Sequence, residues 1–269
     1  MTGDDHALAR DLATVAGERL LALRAHGGEQ DDLRKAGDRQ SHDFLTAELA
    51  ARRPGDVVLS EEGADNPARL AARRVWIVDP LDGTREFGEP GRTDWAVHVA
   101  LWERSDSGDS GDLTAGAVAL PAQGMTLSTA DLRPAHSDVE PVRTGSTPHH
   151  AGAAGKIRIV VSRSRPPAFV RNISGLIDAE LVPLGSAGAK VAAVVNGEVD
   201  AYVHGGGFYE WDTAAPVAVA RAAGLHASRI DGAALAYNQS DLLMPDILVC
   251  QPALAGTLLR AIREVNHAP

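Results

Sequence analysis

The sequence predicts a layered α/β or α+β enzyme fold, and three observations predict it. Apolar residues at spacings of three and four open the chain, and short β-branched runs then end in acidic or glycine turns. After a run of meander-like strands, the second half alternates strand and helix patterns. At 269 residues the chain can form one large domain or two intimate halves with a sizeable core.

Leu8, Leu12, Val15, Ala16, Leu20 and Leu23 give Ala7 to Ala25 the period of an amphipathic helix, which Gly27-Gly28 ends. A polar stretch, Glu29 to Gln40, leads into a second helix with the stripe Phe44, Leu45 and Leu49 and with Asp43 near its start. Pro54-Gly55 breaks that helix, and Val57 to Leu59 is a short strand that delivers S-E-E-G at Ser60 to Gly63. Residues 65–72 read as a brief helix or loop. Val75 to Val78 has the length and β-branched content of a buried strand, and Pro80 removes a donor that simple continuation of the ladder needs. Asp94 to Leu101 sets Trp95, Val97, Val99 and Leu101 against smaller or polar residues, and Leu113 to Leu120 and Met125 to Ala130 extend the pattern as a meander.

Glu103 to Asp112 reads as a Ser/Asp/Gly hairpin loop, and Asp131 to Gly155, rich in Pro, His, Gly and Ser, as a domain boundary. The expected organisation is an N-terminal α+β half at 1–135, a flexible linker at 136–154 and a C-terminal α/β half at 155–269. In the latter, Ile157 to Val161 is a strand, a helix lies near Phe169 to Ile173, and Gly185-Ser186 leads into a helix at Ala187 to Val195. Val199 to Val203 is a strand, glycines 205 to 207 form a loop, and Asp212 begins an Ala-rich helix, Trp211 to Ala223, that Gly224 closes. Ile247 to Cys250 and Leu254 to Val265 supply the last strand and helix.

Composition narrows the function classes. Aromatic content of 4% implies a core built from Ala, Val and Leu. No run approaches a membrane span and Met1 to His6 is polar, so a cytoplasmic protein with no membrane partner is expected. A net charge of -10 argues against a nucleic-acid partner, which requires a basic face. Cys250, inside an apolar run, reads as a buried, inert thiol, and a lone cysteine forms no internal disulfide. His149-His150 has no third ligand at useful spacing and reads as a solvated loop.

The chemistry centres on W-I-V-D-P-L-D-G-T, Trp76 to Thr84, where Asp79 closes a strand, Asp82 follows, and Gly83-Thr84 turn the chain. Alone, such a turn reads as solvated aspartates. Glu61 and Asp212 change the reading, because all four carboxylates stand at a strand end or helix start, where loops converge. Four like charges cannot share a dry pocket unpaired, and hard divalent cations resolve the conflict. An all-oxygen set suits Mg²⁺, and the absence of a Cys/His cluster argues against zinc. Two such ions, about 3.5 to 4 Å apart, can activate a water and stabilise a leaving oxygen, with Asp79 as the natural bridge. Backbone N–H groups at Gly83 and Thr84 can hold a phosphate.

S-E-E-G, W-I-V-D-P-L-D-G-T and the W-D-T-A-A of Trp211 to Ala215 together resemble, in order and spacing, the inositol monophosphatase superfamily of Mg²⁺-dependent, Li⁺-sensitive phosphatases. The resemblance runs from Asp43 through the helix after Asp212 and implies the layered α-β-α-β-α sandwich of the sugar-phosphatase type. It implies that Glu61, Asp79 and the Leu81 carbonyl hold one metal, that Asp79, Asp82 and Asp212 hold a second, and that a third, weaker ion sits by Glu61. It also implies that Thr84, oriented by Asp43, positions and deprotonates the attacking water, with Asp38 competing for the part of Asp43. Relatives are often homodimers, so a homodimer is allowed.

For the substrate, D-G-T-R-E-F at Asp82 to Phe87 resembles the D-G-T-K-E-F of the CysQ-type branch, which removes the 3′-phosphate of 3′-phosphoadenosine 5′-phosphate in sulfate assimilation. V-S-R-S-R at Val161 to Arg165 resembles that branch's V-S-R-S-H, and Gly185-Ser186-Ala187 with Lys190 its G-S-S-x-K. Gly205 replaces the Glu that inositol enzymes carry seven positions before the metal Asp, where a carboxylate would repel a bisphosphate. Ser162, Arg163, Arg165, Gly185, Ser186 and Lys190 are therefore expected at the substrate, an adenosine bisphosphate that wants cationic and hydroxyl donors. The competing reading is an inositol-1-monophosphatase or a fructose-1,6-bisphosphatase-type sugar phosphatase of broad specificity. A haloacid-dehalogenase-type phosphatase is disfavoured, because its D-x-D-G-T has one intervening residue where this chain has two. Trp211 is expected to pack the helix start against the core, with His204, Tyr209 and Glu210 nearer the crevice rim.

Overall fold

The computed structural model describes residues 4–108, 110–132, 155–164 and 166–266, so the linker at 136–154, His149-His150 and Arg165 lie outside the described residues. Asp4 caps helix α1 (Asp5–His26) by accepting from the His6 N–H at 3.0 Å, and Gly27, at φ 70°, ends it. Helix α2 (Gln30–Arg52) starts well before its expected apolar stripe, because the polar stretch from Gln30 to Gln40 is itself helical. Gly37, Ser41, Leu45 and Leu49, four apart, form the buried seam. At Gly37 a side chain would meet Leu81 and Phe87 at 2.9 Å, so a glycine rather than an apolar residue makes that contact.

The chain then runs through β1 (Val57–Ser60), a 3-10 turn at Pro67–Leu70, β2 (Arg74–Asp82), α3 (Thr84–Gly88), β3 (Ala96–Arg104), β4 (Gly111–Leu120), β5 (Met125–Ser128) and α4 (Thr129–Leu132). These strands form one sheet in sequence order, parallel between β1 and β2 and antiparallel elsewhere. Strand β2 continues through Pro80 instead of stopping at Val78. A register shift between Asp79 and Asp82 absorbs the missing donor and leaves Asp79 opposite His98.

The second half comprises β6 (Arg158–Ser162), α5 (Ala168–Leu176), β7 (Glu180–Leu184), α6 (Ala187–Val195), β8 (Ala201–His204), β9 (Phe208–Tyr209), α7 (Glu210–Ala222), β10 (His226–Ser228), β11 (Leu243–Met244), β12 (Ile247–Cys250) and α8 (Ala255–Asn266). A second sheet has the order β10-β12-β8-β6-β7, and β9 pairs with β11 in a small ribbon.

Strand alternation sorts the core into layers. Trp76, Val78, Val97, Val99, Leu101 and Ala117 face α1 and α2, whereas Val75, Ile77, Ala96, Ala100 and Val118 share a cluster with α6 and α7. Val160, Tyr202, Ile247 and Val249 of the second sheet join that cluster from the other side. The opposite face of the second sheet, with Ile159, Val161, Val203, Leu248 and Cys250, packs on α5 and α8. The result is α-β-α-β-α, the layered fold expected. Cys250 is fully buried and burial pushes its thiol up to about 12, which makes it inert as expected. Among the described residues no helix is long and apolar enough to cross a membrane.

Candidate metal centre

The site forms where β2 leaves the first sheet and α7 begins. The irregular end of β2 delivers Asp79 and Asp82, both buried, and α7 delivers Asp212 from its first turn. Ligand-capable oxygens of Asp79, Asp82 and Asp212 lie within 4.8 Å of one another. Glu61, the residue after β1, stands outside that triple. As a whole it is exposed, but its carboxyl group is desolvated and close to Asp79.

Crowding shows in the titration of these groups. Burial first, then the charges of Glu61, Asp82 and Asp212, drive Asp79 well above the usual carboxylate range. Burial and then Asp212 push Glu61 up to about 7, and burial and then Asp82 push Asp212 up to about 6. Asp82 is the exception. Burial works to raise it, but His98, Lys190 and the Gly188 N–H outweigh burial and hold it low. Asp79 accepts from the Leu81 N–H at 3.0 Å through Oδ1, while its buried Oδ2 has no donor among the described residues. Clustered, desolvated carboxylates with an orphaned oxygen fit a hard divalent cation.

Gly83 has φ 83°, and a side chain there would meet Ser186 Cβ at 3.0 Å and Trp95 Cα at 3.3 Å, so α3 can begin here only after a glycine. Thr84 follows, and its hydroxyl lies 3.0 Å from the Leu81 carbonyl and 3.2 Å from Asp38 Oδ1. This corrects the expected role of Asp43. Asp38 is half-buried and meets Thr84, whereas Asp43 is exposed and lines an outer groove with Arg19, Arg39 and Phe44. The physical reason is the early start of α2: Asp38 is already helical, and the face that carries Gly37 and Ser41 inward aims it at Thr84. Burial, then Glu62, raises Asp38 to about 6.

Arg163 and Gly185, two of the described substrate candidates, lie against Glu86 of α3. Arg163 Nη2 lies 2.6 Å from Glu86 Oε1 and 3.1 Å from Glu89, so the T-R-E-F stretch and the S-R-S-R stretch are joined by an ion pair. Ser162 is half-buried at the end of β6. The Gly185 N–H donates to buried Asp94 at 2.6 Å, and Ser186 caps α6 by accepting from the Ala189 N–H at 2.9 Å. Lys190 is only 4% exposed, and its ammonium donates to the Gly185 carbonyl. Burial lowers its pKa against the opposing pull of Asp82, Glu86, Asp212 and Asp94.

Of the residues expected near the rim, Tyr209 is exposed and stacks on Trp211 with ring centroids 4.8 Å apart, while Trp211 packs on the central core. Glu210 is not at the rim. It is fully buried and accepts from the N–H groups of Asn238 and Gln239 at 2.6 and 2.7 Å. His204 lies among the rings of Tyr202 and Phe208. His98, which no motif in the sequence marks, is fully buried with Nε2 3.1 Å from Asp82 Oδ2. Its signal was present: a lone histidine inside the apolar W-A-V-H-V-A-L strand.

Residues 5–267 match the model of the inositol monophosphatase family. The chain is 50% identical over 266 residues to a protein of Mycobacterium leprae named 3′-phosphoadenosine 5′-phosphate phosphatase, which covers 97% of this chain and 94% of that one. It is 32% identical over 238 residues to the 3′(2′),5′-bisphosphate nucleotidase CysQ of Escherichia coli strain K12, covering 84% and 91%. In fold it is similar to the crystal structure of inositol monophosphatase II from Staphylococcus aureus, with a TM-score of 0.77, 20% identity and coverage of 97% and 96%.

Proposed function

Because the chain belongs to the inositol monophosphatase family, we propose that it is a cytoplasmic, Mg²⁺-dependent 3′(2′),5′-bisphosphate nucleotidase. It removes the 3′-phosphate of 3′-phosphoadenosine 5′-phosphate, giving AMP and phosphate, and serves sulfate assimilation. The observation that carries the substrate is the 50% identity, over nearly the whole of both chains, to a protein named for that reaction.

Two or three Mg²⁺ ions are proposed. Asp79, Asp82 and Asp212 would hold one, and Asp79, Glu61 and the Leu81 carbonyl another, with a weaker third by Glu61. When bound, such ions supply Lewis-acid charge for the phosphoryl oxygens and lower the pKa of a water. The chain's own groups do the rest. Thr84 Oγ1, directed at Asp38 Oδ1, has lone pairs with which to accept a proton from a water, while its own proton passes to Asp38. The Gly83 and Thr84 N–H groups hold the transferred phosphate. Arg163, Arg165, Lys190, Ser162, Gly185 and Ser186 are proposed for the remainder of the nucleotide, with Glu86 and Glu89 setting the direction of Arg163. Gly205 favours this reading over an inositol phosphate, since no carboxylate stands at that position to bind ring hydroxyls.

The test is a comparison of kcat/KM for 3′-phosphoadenosine 5′-phosphate, inositol 1-phosphate and fructose 1,6-bisphosphate in Mg²⁺, with and without millimolar Li⁺. A clear preference for the nucleotide and inhibition by Li⁺ are expected. Preference for either sugar phosphate would overturn the assignment.

A further inference from the structure

His98 occupies a position that the reaction outlined above does not use. It lies in the middle of β3 with no solvent exposure, on the face turned toward α6 and α7. Its ring touches three segments. Nε2 is 3.1 Å from Asp82 Oδ2, and Nδ1 is 3.2 Å from the carbonyl oxygen of Trp211, the residue before Asp212. Asp79 Oδ2 lies 3.9 Å from the same Nδ1. On the remaining side the backbone of α6 closes in, and a side chain at Gly188 would come within 2.3 Å of His98 Nε2.

These contacts divide the two oxygens of Asp82. Oδ2 accepts from the Gly188 N–H at 2.7 Å and faces His98, which orients the carboxylate and leaves Oδ1 to point elsewhere. The Nε2 approach is short but poorly aligned as a hydrogen bond, so a buried polar atom is aimed at the cluster without a well-formed partner of its own. The same ring, through the Trp211 carbonyl, also fixes where α7 starts and hence where Asp212 stands.

We propose that His98 is a positioning residue of the metal centre: a buried ring that, as the imidazolium, has one N–H for Asp82 and one for the Trp211 carbonyl, and so ties Asp82 to the first turn of α7 and sets the separation of Asp82 and Asp212 for the cation they share. Groups that orient a ligand from behind typically change metal affinity by about 10- to 100-fold when removed. The inference rests on the metal-site reading above and is independent of which phosphate ester is hydrolysed.

The experiment is a calorimetric titration of the substrate-free, full-length protein with Mg²⁺, and with Mn²⁺ followed by its paramagnetic resonance signal. Wild type is compared with His98→Gln, His98→Leu and Gly188→Ala, and the melting temperature of each is recorded in chelator. His98→Leu fills the space without a polar atom and is expected to weaken Mg²⁺ binding by about 10-fold or more. His98→Gln, which keeps one donor, is expected to fall between Leu and wild type. Gly188→Ala crowds the ring from the α6 side and is expected to weaken binding with His98 intact, which guards against a His98 variant that fails to fold. Equal Mg²⁺ affinity in wild type and in folded His98→Leu overturns the role of His98, as does equal loss in the Leu and Gln variants, which marks a merely structural contact. Absence of Mg²⁺ binding by wild type overturns the metal-site reading itself.

Discussion

Thr84 and its carboxylate partner show how much one side chain's direction decides. Asp38 and Asp43 both sit on α2, five positions apart and therefore on different faces of a 3.6-residue turn. Only Asp38 reaches the Thr84 hydroxyl. Asp38→Asn is expected to lower kcat by about 10²-fold or more, the range for losing a positioned proton acceptor, and to leave the melting temperature close to wild type. Asp43→Asn is expected to stay within about twofold of wild-type kcat, as befits an exposed surface position. A large loss in the Asp43 variant with none in the Asp38 variant would reverse the assignment. The residue types were legible in advance, since Glu61, Asp79, Asp82 and Asp212 stand at recognisable strand and helix ends. Their grouping was less so: three gather within 4.8 Å and Glu61 approaches from the side, a difference that no spacing encodes.

Among the elements, α3 is a single short turn that carries Thr84 at its first position. It exists because β2 ends in an irregular register and Gly83 turns the chain in the left-handed region against Ser186 and Trp95. Gly83→Ala is expected to cost about 1–2 kcal/mol from the backbone alone, with further loss from the contact at Ser186. The measurement is urea unfolding in chelator, and a change under about 0.5 kcal/mol would show that the turn relaxes freely. Helix α1 was readable from apolar spacing, and α7 from an Ala-rich run between Asp212 and Gly224. The first turns of α2 were not, because Gly37 makes a buried contact that carries no hydrophobic signal. Likewise Pro80 argued for a strand end, but a shifted register let β2 pass it.

Across the whole molecule, several carboxyl groups are held protonated further than an unfolded chain would hold them. Glu61 and Glu210 titrate at about 7 and Asp38 and Asp212 at about 6, with burial as the first cause in each. Between the ordinary carboxylate range and pH 7 the folded state therefore binds more protons than the unfolded one, so their contribution to stability is present in acid and lost as pH rises through 6 to 7. Asp82, held low, acts oppositely and only at lower pH. The urea midpoint in chelator is expected to fall between pH 5 and pH 8, and saturating Mg²⁺ to remove the part of the fall due to the ligand carboxylates, leaving the part due to Glu210 and Asp38, which are not among the proposed ligands. Mg²⁺ at about 100 times its Kd adds about 2.7 kcal/mol. A midpoint that rises from pH 5 to pH 8 in chelator would contradict the raised carboxyl groups.

By itself the sequence determined the identities of the carboxylates, the order of the motifs that carry them, and the strand and helix periods that stack into five layers. These are local properties, set by residue type and by side-chain periodicity along one element. Only the tertiary structure decided that Asp38 rather than Asp43 faces Thr84, that Glu86 holds Arg163, and that His98 stands behind Asp82. The first two pairs join segments far apart in the chain, brought together by packing between elements, and the third depends on the shifted register between the paired strands β2 and β3; the spacing within any single element is blind to both.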